Sequence, residues 1–124
     1  MGDIIHKKES YEVLGALFEV HNNLGGGFLE IVYGDALEYE FNLRGIPFER
    51  EKRYDVNYKD IVLKHHFYAD FVVYDKIVLE IKSVKYTHEA HIAQCLNYLK
   101  VSGNKLAILA NFESERLDYQ RIVL

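Results

Sequence analysis

The feature that most constrains the fold is an apolar hairpin between residues 68 and 82. Two runs rich in Val, Ile and Phe, residues 68–73 and 77–82, flank a short polar turn centred on Asp75. This is the pattern of two antiparallel strands joined by a tight turn. The register of that turn predicts three facing pairs: Val73 with Ile77, Phe71 with Leu79, and Asp70 with Glu80.

Because side chains alternate along a strand, this register sorts the hairpin into two faces. One face is wholly apolar and is predicted to belong to the core: Phe71, Val73, Ile77, Leu79 and Ile81. The other carries Asp70, Glu80 and Lys82. Two facing carboxylates about 5 Å apart repel by about 3 kcal/mol at an effective dielectric near 20. An ordinary cross-strand pair contributes only about 0.2–1 kcal/mol, so something must offset the repulsion.

A shared proton, the Lys82 ammonium or a divalent cation could offset it. A hard cation that takes oxygen ligands fits two converging carboxylates best. A surface hairpin in which Lys82 bridges two solvated acids explains this stretch equally well. The hairpin alone therefore predicts a charged cluster and leaves open whether that cluster binds a metal.

Length and composition describe a globular protein. The 124 residues, 49% hydrophobic and 27% charged, are expected to form a single domain, 1–124. We expect no membrane association, because no apolar run is long enough for a span and the first ten residues lack a signal-peptide core. The single cysteine, Cys95, suits the reducing cytoplasm, where we expect the protein to reside.

Net charge limits the ways in which the chain could bind nucleic acid. At −4 it lacks the basic excess of proteins that bind DNA through bulk electrostatics. Any such binding would need a local patch or bound metal ions. Two basic clusters, at residues 50–53 and 64–66, could form a patch, or could equally be charges that guard a strand edge.

Hydrophobic spacing and turn residues predict the other elements. They are helices at 10–24, 29–44 and 87–102, and strands within 48–63, at 105–110 and at 119–124. Gly25, Gly26 and Gly27 are interpreted as a sharp helix–helix connection, since no Gly-Lys-Ser/Thr follows them as in a phosphate-binding loop. The strand–helix–strand passage around 94–98 predicts a mixed sheet with helices on it. The fold class is therefore α/β, bordering on α+β.

Histidines and the cysteine suggest competing chemistry. His88 and His91 lie on a predicted helix, but one residue short of the His-Glu-Xaa-Xaa-His zinc motif. A third zinc ligand would have to come from His65 or His66, with no spacing to support it. We expect His91 to pack or hydrogen-bond near the acids instead. Cys95 has no recognisable base partner and is expected to be a buried structural thiol.

Three motifs together resemble a known superfamily. Asp70, followed ten residues later by Glu80-Ile81-Lys82, resembles the Asp…Glu-Xaa-Lys signature of the PD-(D/E)XK nucleases. Residues 27–33 (GFLEIVY) match the Gly-Xaa-Xaa-Glu-Xaa-Xaa-Tyr motif of the GxxExxY protein family, a branch of that superfamily. Residues 94–98 (QCLNY) resemble the Gln-Xaa-Xaa-Xaa-Tyr motif of the branch related to RecB-type and lambda-exonuclease-type nucleases. The motifs occur in the expected order between residues 20 and 124.

The resemblance implies a restriction-endonuclease-like fold, with a mixed four-stranded central sheet flanked by helices and two N-terminal helices. It also implies metal-dependent hydrolysis of phosphodiesters, with DNA as the expected substrate. Asp70, Glu80 and the Ile81 carbonyl would hold Mg²⁺ or Mn²⁺. Glu30 would add a carboxylate to this metal site, although by position alone it is a capping acid at a helix N-terminus.

The remaining motif residues would act on water and phosphate. Lys82 would position and help to deprotonate the attacking water, and Gln94 and Tyr98 would project toward Lys82 or the scissile phosphate. The sequence departs from the expected pattern at Tyr68, where related sequences carry Arg before the Ala-Asp pair. One phosphate contact would then be missing.

Three functional hypotheses follow. The first is a Mg²⁺-dependent nuclease-like domain acting on DNA, in which two copies could form a homodimer to grip both strands. The second is a non-catalytic module on the same fold that binds nucleic acid or a protein. The third is a structural protein whose ten tyrosines build an oligomer. An intact Asp70, Glu80 and Lys82 set favours the first, because a non-catalytic copy has no reason to keep an unfavourable acid pair.

Overall fold

A computed structural model describes residues 4–124 and shows a mixed α/β architecture, as predicted. The elements are α1 (Lys7–Leu24), α2 (Glu30–Arg44), β1 (Phe48–Tyr58), β2 (Ile61–Val73), β3 (Ile77–Lys82), α3 (Glu89–Ser102), β4 (Leu106–Asn111) and β5 (Asp118–Val123). They form one five-stranded sheet in the order β1-β2-β3-β4-β5, one strand more than the resemblance implied. Across residues 4–124, no helix combines the length and apolarity that a bilayer crossing requires.

Strand pairing confirms the predicted hairpin and crossover. Val73 lies opposite Ile77 and Phe71 opposite Leu79 in the β2–β3 pair. β3 and β4 are parallel and are joined through α3, whereas the other neighbouring strands are antiparallel. The carboxyl ends of β3 and β4 therefore meet at one edge, where Lys82 faces Asn111.

Helices cover both faces of the sheet. The apolar hairpin face belongs to the core, as predicted, and packs against α1 and α2: Phe71, Val73, Ile77, Leu79 and Ile81. The opposite face is also buried in part, because Val72 and Val78 pack under Leu99 of α3. Asp70 and Glu80 therefore do not lie on a solvated sheet face, as the surface-hairpin alternative requires.

Two helix starts differ from prediction. α1 begins at Lys7 rather than Ser10. Ser10 lies inside the helix, where it is buried and its Oγ accepts a hydrogen bond from Arg121 Nε at 3.3 Å instead of capping the helix. The N-cap of α3 is His88 rather than Thr87. The Thr87 hydroxyl instead accepts a 3.4 Å hydrogen bond from the buried Asn111 side chain.

The glycine run at 25–27 connects α1 to α2, as predicted. Gly25 ends α1 with a positive φ of 68°, and Gly27 has a φ of 97°. Gly26 lies so close to the chain after β4 that an added Cβ would stand 2.0 Å from the Glu113 carbonyl oxygen. This close backbone approach places the start of α2 beside the carboxyl ends of β3 and β4.

We expect Gly26→Ala to destabilise the fold by about 3 kcal/mol or more, because the clash is with backbone that cannot swing aside. Gly103→Ala is the control: unlike Gly26, Gly103 has open space for a Cβ, but its φ is +77°. Left-handed backbone alone costs about 1–2 kcal/mol. Urea unfolding of both variants measures the difference, and a Gly26→Ala cost no larger than that of Gly103→Ala would contradict the packing explanation.

Candidate active site

Strand pairing is interrupted at Asp70 on both of its sides. The β1–β2 ladder passes from the Arg50–Phe71 pair to the Lys52–Ala69 pair, and the β2–β3 ladder ends at Phe71. At this position the two side-chain carboxylates accept hydrogen bonds from backbone N–H groups instead. The Asp70 N–H donates to Glu80 Oε1 at 3.0 Å, and the Ile81 N–H donates to Asp70 Oδ2 at 2.8 Å. The predicted convergence of the two acids is therefore confirmed. Each carboxylate is held by a backbone N–H of the strand that carries the other acid.

Burial makes this acid pair electrostatically unfavourable. Glu80 is 3% exposed, and burial, followed by the Asp70 charge, raises the pKa of Glu80 to about 8. Burial likewise raises the pKa of Asp70, against the opposing effects of the Ile81 amide and the Lys82 charge. The pair must therefore retain a proton or acquire a positive neighbour as the pH approaches neutrality.

Lys82 lies beside the pair at the end of β3. Its carbonyl accepts a 2.9 Å hydrogen bond from the Phe112 N–H, which joins it to the chain after β4. Its charge lowers the pKa of both Asp70 and Glu80. Between residues 4 and 124, no carboxylate forms an ion pair with its ammonium group. The amine is therefore close to the acids without being neutralised by a dedicated partner.

Glu30, the first residue of α2, reaches the same region. Its Oε2 accepts a 3.2 Å hydrogen bond from the Ser83 N–H, just after β3. The Ser83 hydroxyl lies 2.8 Å from the Phe28 carbonyl oxygen, which links the glycine connection to the same segment. Glu30 and Asp70 line a common cavity of about 210 Å³. The structure thus places the early-helix glutamate on the same cavity as Asp70.

Gln94 and Tyr98 approach from α3. Gln94 Nε2 donates to the Tyr98 hydroxyl at 3.0 Å, so these two motif residues contact one another. Tyr98 is 3% exposed, and burial, then the charges of Glu80 and Asp70, raise its pKa. Cys95 is buried, as predicted, and burial raises the pKa of its thiol to about 12. Cys95 and Tyr98 therefore lie close enough to Asp70 and Glu80 to be affected by their charges.

The histidine site did not assemble. His91 Nδ1 accepts a 3.1 Å hydrogen bond from the His88 N–H, which caps α3. Burial, followed by the Lys82 charge, lowers the pKa of His91, so His91 does lie near the site. Across residues 4–124, no three His, Cys, Asp or Glu side chains converge closely enough to hold a metal ion. Glu30 is therefore a neighbour of the Asp70–Glu80 pair rather than part of a closed three-acid cage.

The donor set nevertheless fits a hard divalent cation. Asp70 and Glu80 offer converging carboxylate oxygens, the type of ligand that Mg²⁺ and Mn²⁺ select. Burial raises the pKa of both carboxyl groups, so a nearby cation would stabilise their ionised forms. Mg²⁺ commonly uses only one or two protein carboxylates and retains water ligands, so a closed cage is not required.

Sequence reasoning gave no role to Ser83 or Asn111. Asn111 is 4% exposed; its Oδ1 accepts from the Val84 N–H at 3.1 Å and its Nδ2 donates to the Val84 carbonyl at 2.8 Å. Together with Ser83, it fixes the segment that follows Lys82. The only available signal for Asn111 was a polar residue at the end of an apolar strand.

Comparison with known proteins decides the family. The family model of the PD-(D/E)XK nuclease superfamily matches residues 7–122, nearly the whole chain. The chain belongs to the PD-(D/E)XK nuclease superfamily. Nucleases of this superfamily hydrolyse phosphodiesters and generally depend on a divalent metal.

The solved structures add evidence for the fold. The chain is similar to the protein in the crystal structure of SSO0001, with a TM-score of 0.58 and 21% sequence identity. The match covers 95% of this superfamily member and 57% of the SSO0001 chain. At that identity the likeness supports the shared restriction-endonuclease-like fold. A search of curated proteins found no significant match.

Proposed function

We propose that the protein is a metal-dependent nuclease acting on DNA, with Asp70, Glu80 and Lys82 at its centre. The observation that carries this proposal is the convergence of the half-buried Asp70 with the buried Glu80, both with raised pKa values, beside a Lys82 ammonium that forms no ion pair within residues 4–124. An acid pair in a purely structural position would stabilise the fold better as two apolar residues.

The chain's own residues suit the chemistry of phosphodiester hydrolysis. Asp70, Glu80 and the Ile81 carbonyl would hold Mg²⁺ or Mn²⁺, with Glu30 next to them at the mouth of the cavity. A bound divalent ion supplies Lewis acidity and lowers the pKa of water. The Lys82 side chain would orient the attacking water and, after losing its own proton to solvent, would accept the proton of that water as a neutral amine. From α3, the Tyr98 hydroxyl and the Gln94 amide would complete the wall of the site facing the phosphate.

We also infer that the chain belongs to the GxxExxY branch, because each motif residue has a distinct physical role. Gly27 adopts a φ of 97°, which favours glycine. Glu30 bonds to the Ser83 N–H. Tyr33 is fully buried and donates from its hydroxyl to the Gly25 carbonyl at 2.6 Å. The motif therefore shapes the connection that brings Glu30 to the acid pair.

Metal binding is the direct test. Titration calorimetry with Mn²⁺ is expected to give a binding heat with the parent chain and none with Asp70→Asn. Asparagine can still accept the Ile81 N–H bond, so the strand contact is retained. Asp75→Asn is the matched control, because Asp75 lies in the exposed hairpin turn, where its side chain is 88% exposed; this variant should bind like the parent. No heat from the parent at millimolar Mn²⁺ would overturn the enzyme proposal and favour a non-catalytic module.

A further inference from the structure

Arg50 is the one basic residue among those that line the 210 Å³ cavity shared by Glu30 and Asp70. It lies on β1 opposite Phe71, the residue after Asp70, and its guanidinium is 5.6 Å from the centre of the Phe71 ring. The cavity also contains the Glu51 side chain, so its described lining carries three carboxylates and one cation. An incoming phosphate would meet a net negative wall everywhere except at Arg50 and at any bound metal ion.

The guanidinium lies directly against Gly34 of α2. A Cβ added at Gly34 would stand 2.5 Å from Arg50 Nη2 and 3.3 Å from its Cζ. Glycine inside a helix costs about 1 kcal/mol relative to alanine. Here the missing side chain makes room for the arginine to cross the helix and reach the cavity.

Two acids of α2 contact only one nitrogen of the guanidinium. Arg50 Nη1 is 2.8 Å from Asp35 Oδ1 and 3.6 Å from Glu38 Oε1. Within the described part of the chain, neither Nε nor Nη2 donates a hydrogen bond to a protein acceptor. Arginine carries five donors in a fixed fork that suits phosphate oxygens. Donors therefore remain available to a ligand while Asp35 and Glu38 fix the direction of the side chain.

We propose that Arg50 binds a phosphate of the DNA backbone next to the acid pair, where a divalent ion held by Asp70 and Glu80 would offset the charge of those carboxylates. This inference rests on the proposed function, since it assigns a substrate contact to the same site. Asp35 and Glu38 then serve as positioning residues, and Gly34 provides the passage through which Arg50 reaches the cavity.

Three variants separate this role from a purely structural ion pair. Arg50→Gln removes the proposed contact between the guanidinium and the phosphate. Asp35→Asn removes only the ion pair with Arg50. Gly34→Ala keeps Arg50 but displaces its guanidinium from the cavity. The probe is a short fluorescent DNA duplex, and its affinity is measured by anisotropy in Ca²⁺ at several salt concentrations. Thermal unfolding of each variant is measured in parallel.

Arg50→Gln is expected to weaken DNA binding by about 10-fold or more, as for the loss of a charge-assisted bond. The slope of log affinity against log salt concentration should also become shallower by the amount that corresponds to about one phosphate contact. Asp35→Asn should bind as tightly as the parent or more tightly, because it removes a carboxylate charge that competes with the phosphate for the guanidinium. Gly34→Ala should bind more weakly without loss of thermal stability, since a helical glycine is replaced by alanine.

Equal binding by Arg50→Gln and the parent would overturn the proposal. So would equal weakening by Arg50→Gln and Asp35→Asn, which would indicate a structural ion pair, and so would a parent chain that binds no DNA. A parent that binds DNA but takes up no Mn²⁺ refutes the nuclease proposal and leaves the Arg50 comparison valid. The two failures are therefore distinguishable. If Arg50→Gln does not fold, Gly34→Ala carries the test.

Discussion

Lys82→Ala is expected to lower the rate of DNA cleavage in Mg²⁺ by about 10²–10⁴-fold, the range for loss of a positioned general acid–base group. The amine lies beside Asp70 and Glu80, where it lowers the pKa of both. Folding should be retained, because the strand contact of Lys82 uses its carbonyl, which accepts from the Phe112 N–H. Cleavage of plasmid and single-stranded DNA, followed by gel electrophoresis, measures the effect.

A nearby lysine provides the control for that experiment. Lys85 lies three residues further along, where its Nζ is 5.6 Å from the Tyr86 ring centre. Lys85→Ala removes the same charge from the same segment and should cleave DNA at close to the parent rate. If Lys82→Ala and the parent cleave equally, the activity belongs to a contaminating nuclease or to a different site.

The stability of the metal-free protein is expected to fall as the pH rises from about 4.5 to about 8. Glu80 has an ordinary value of 4.5 and a folded-state pKa of about 8, so the folded state retains a proton that the unfolded state releases in this window. A state that binds fewer protons gains relative stability as pH rises, which here is the unfolded state. The difference between these two pKa values of Glu80 corresponds to a decrease of up to about 5 kcal/mol in the free energy of unfolding, at 1.36 kcal/mol per pH unit.

Glu80→Gln should remove most of this pH dependence. The glutamine oxygen can still accept the Asp70 N–H bond while carrying no charge. The variant should therefore unfold at a similar urea concentration to the parent near pH 4.5, and at a clearly higher one at pH 8. Adding Mn²⁺ should raise the stability of the parent at pH 8 by mass action and leave Glu80→Gln nearly unchanged. A parent as stable at pH 8 as at pH 4.5 would contradict the buried-acid description.

Local patterns were sufficient to predict the hairpin and the acid pair. The short turn around Asp75 fixed the β2–β3 register, and the alternation of side chains then assigned the core face. The end of α3 at Gly103 was likewise marked by one residue with a left-handed backbone. These features depend on neighbours within about a dozen residues, and sequence spacing alone describes them.

The β1 side of the site could not be predicted in the same way. Extending the register of the Tyr58–Ile61 pair along the strands would place Glu49 opposite Asp70. An irregularity between Asp55 and Asn57 shifts the partner by two residues, so Arg50 faces Phe71 and Lys52 faces Ala69 on either side of Asp70. Nothing local in the sequence marks that shift. Arg50 was therefore only one member of a basic cluster until the tertiary structure placed it in the cavity.

The crossed hydrogen bonds between the acids have a consequence for mutagenesis. Because the Glu80 carboxylate holds the amide of Asp70, and the Asp70 carboxylate holds the amide of Ile81, a truncation of either acid also releases a backbone amide on the opposite strand. Single alanine substitutions at 70 and 80 would thus perturb overlapping structure, and their energies would not sum. The two acids constitute one coupled unit, whose chemical contribution only isosteric changes can separate from its contribution to strand geometry.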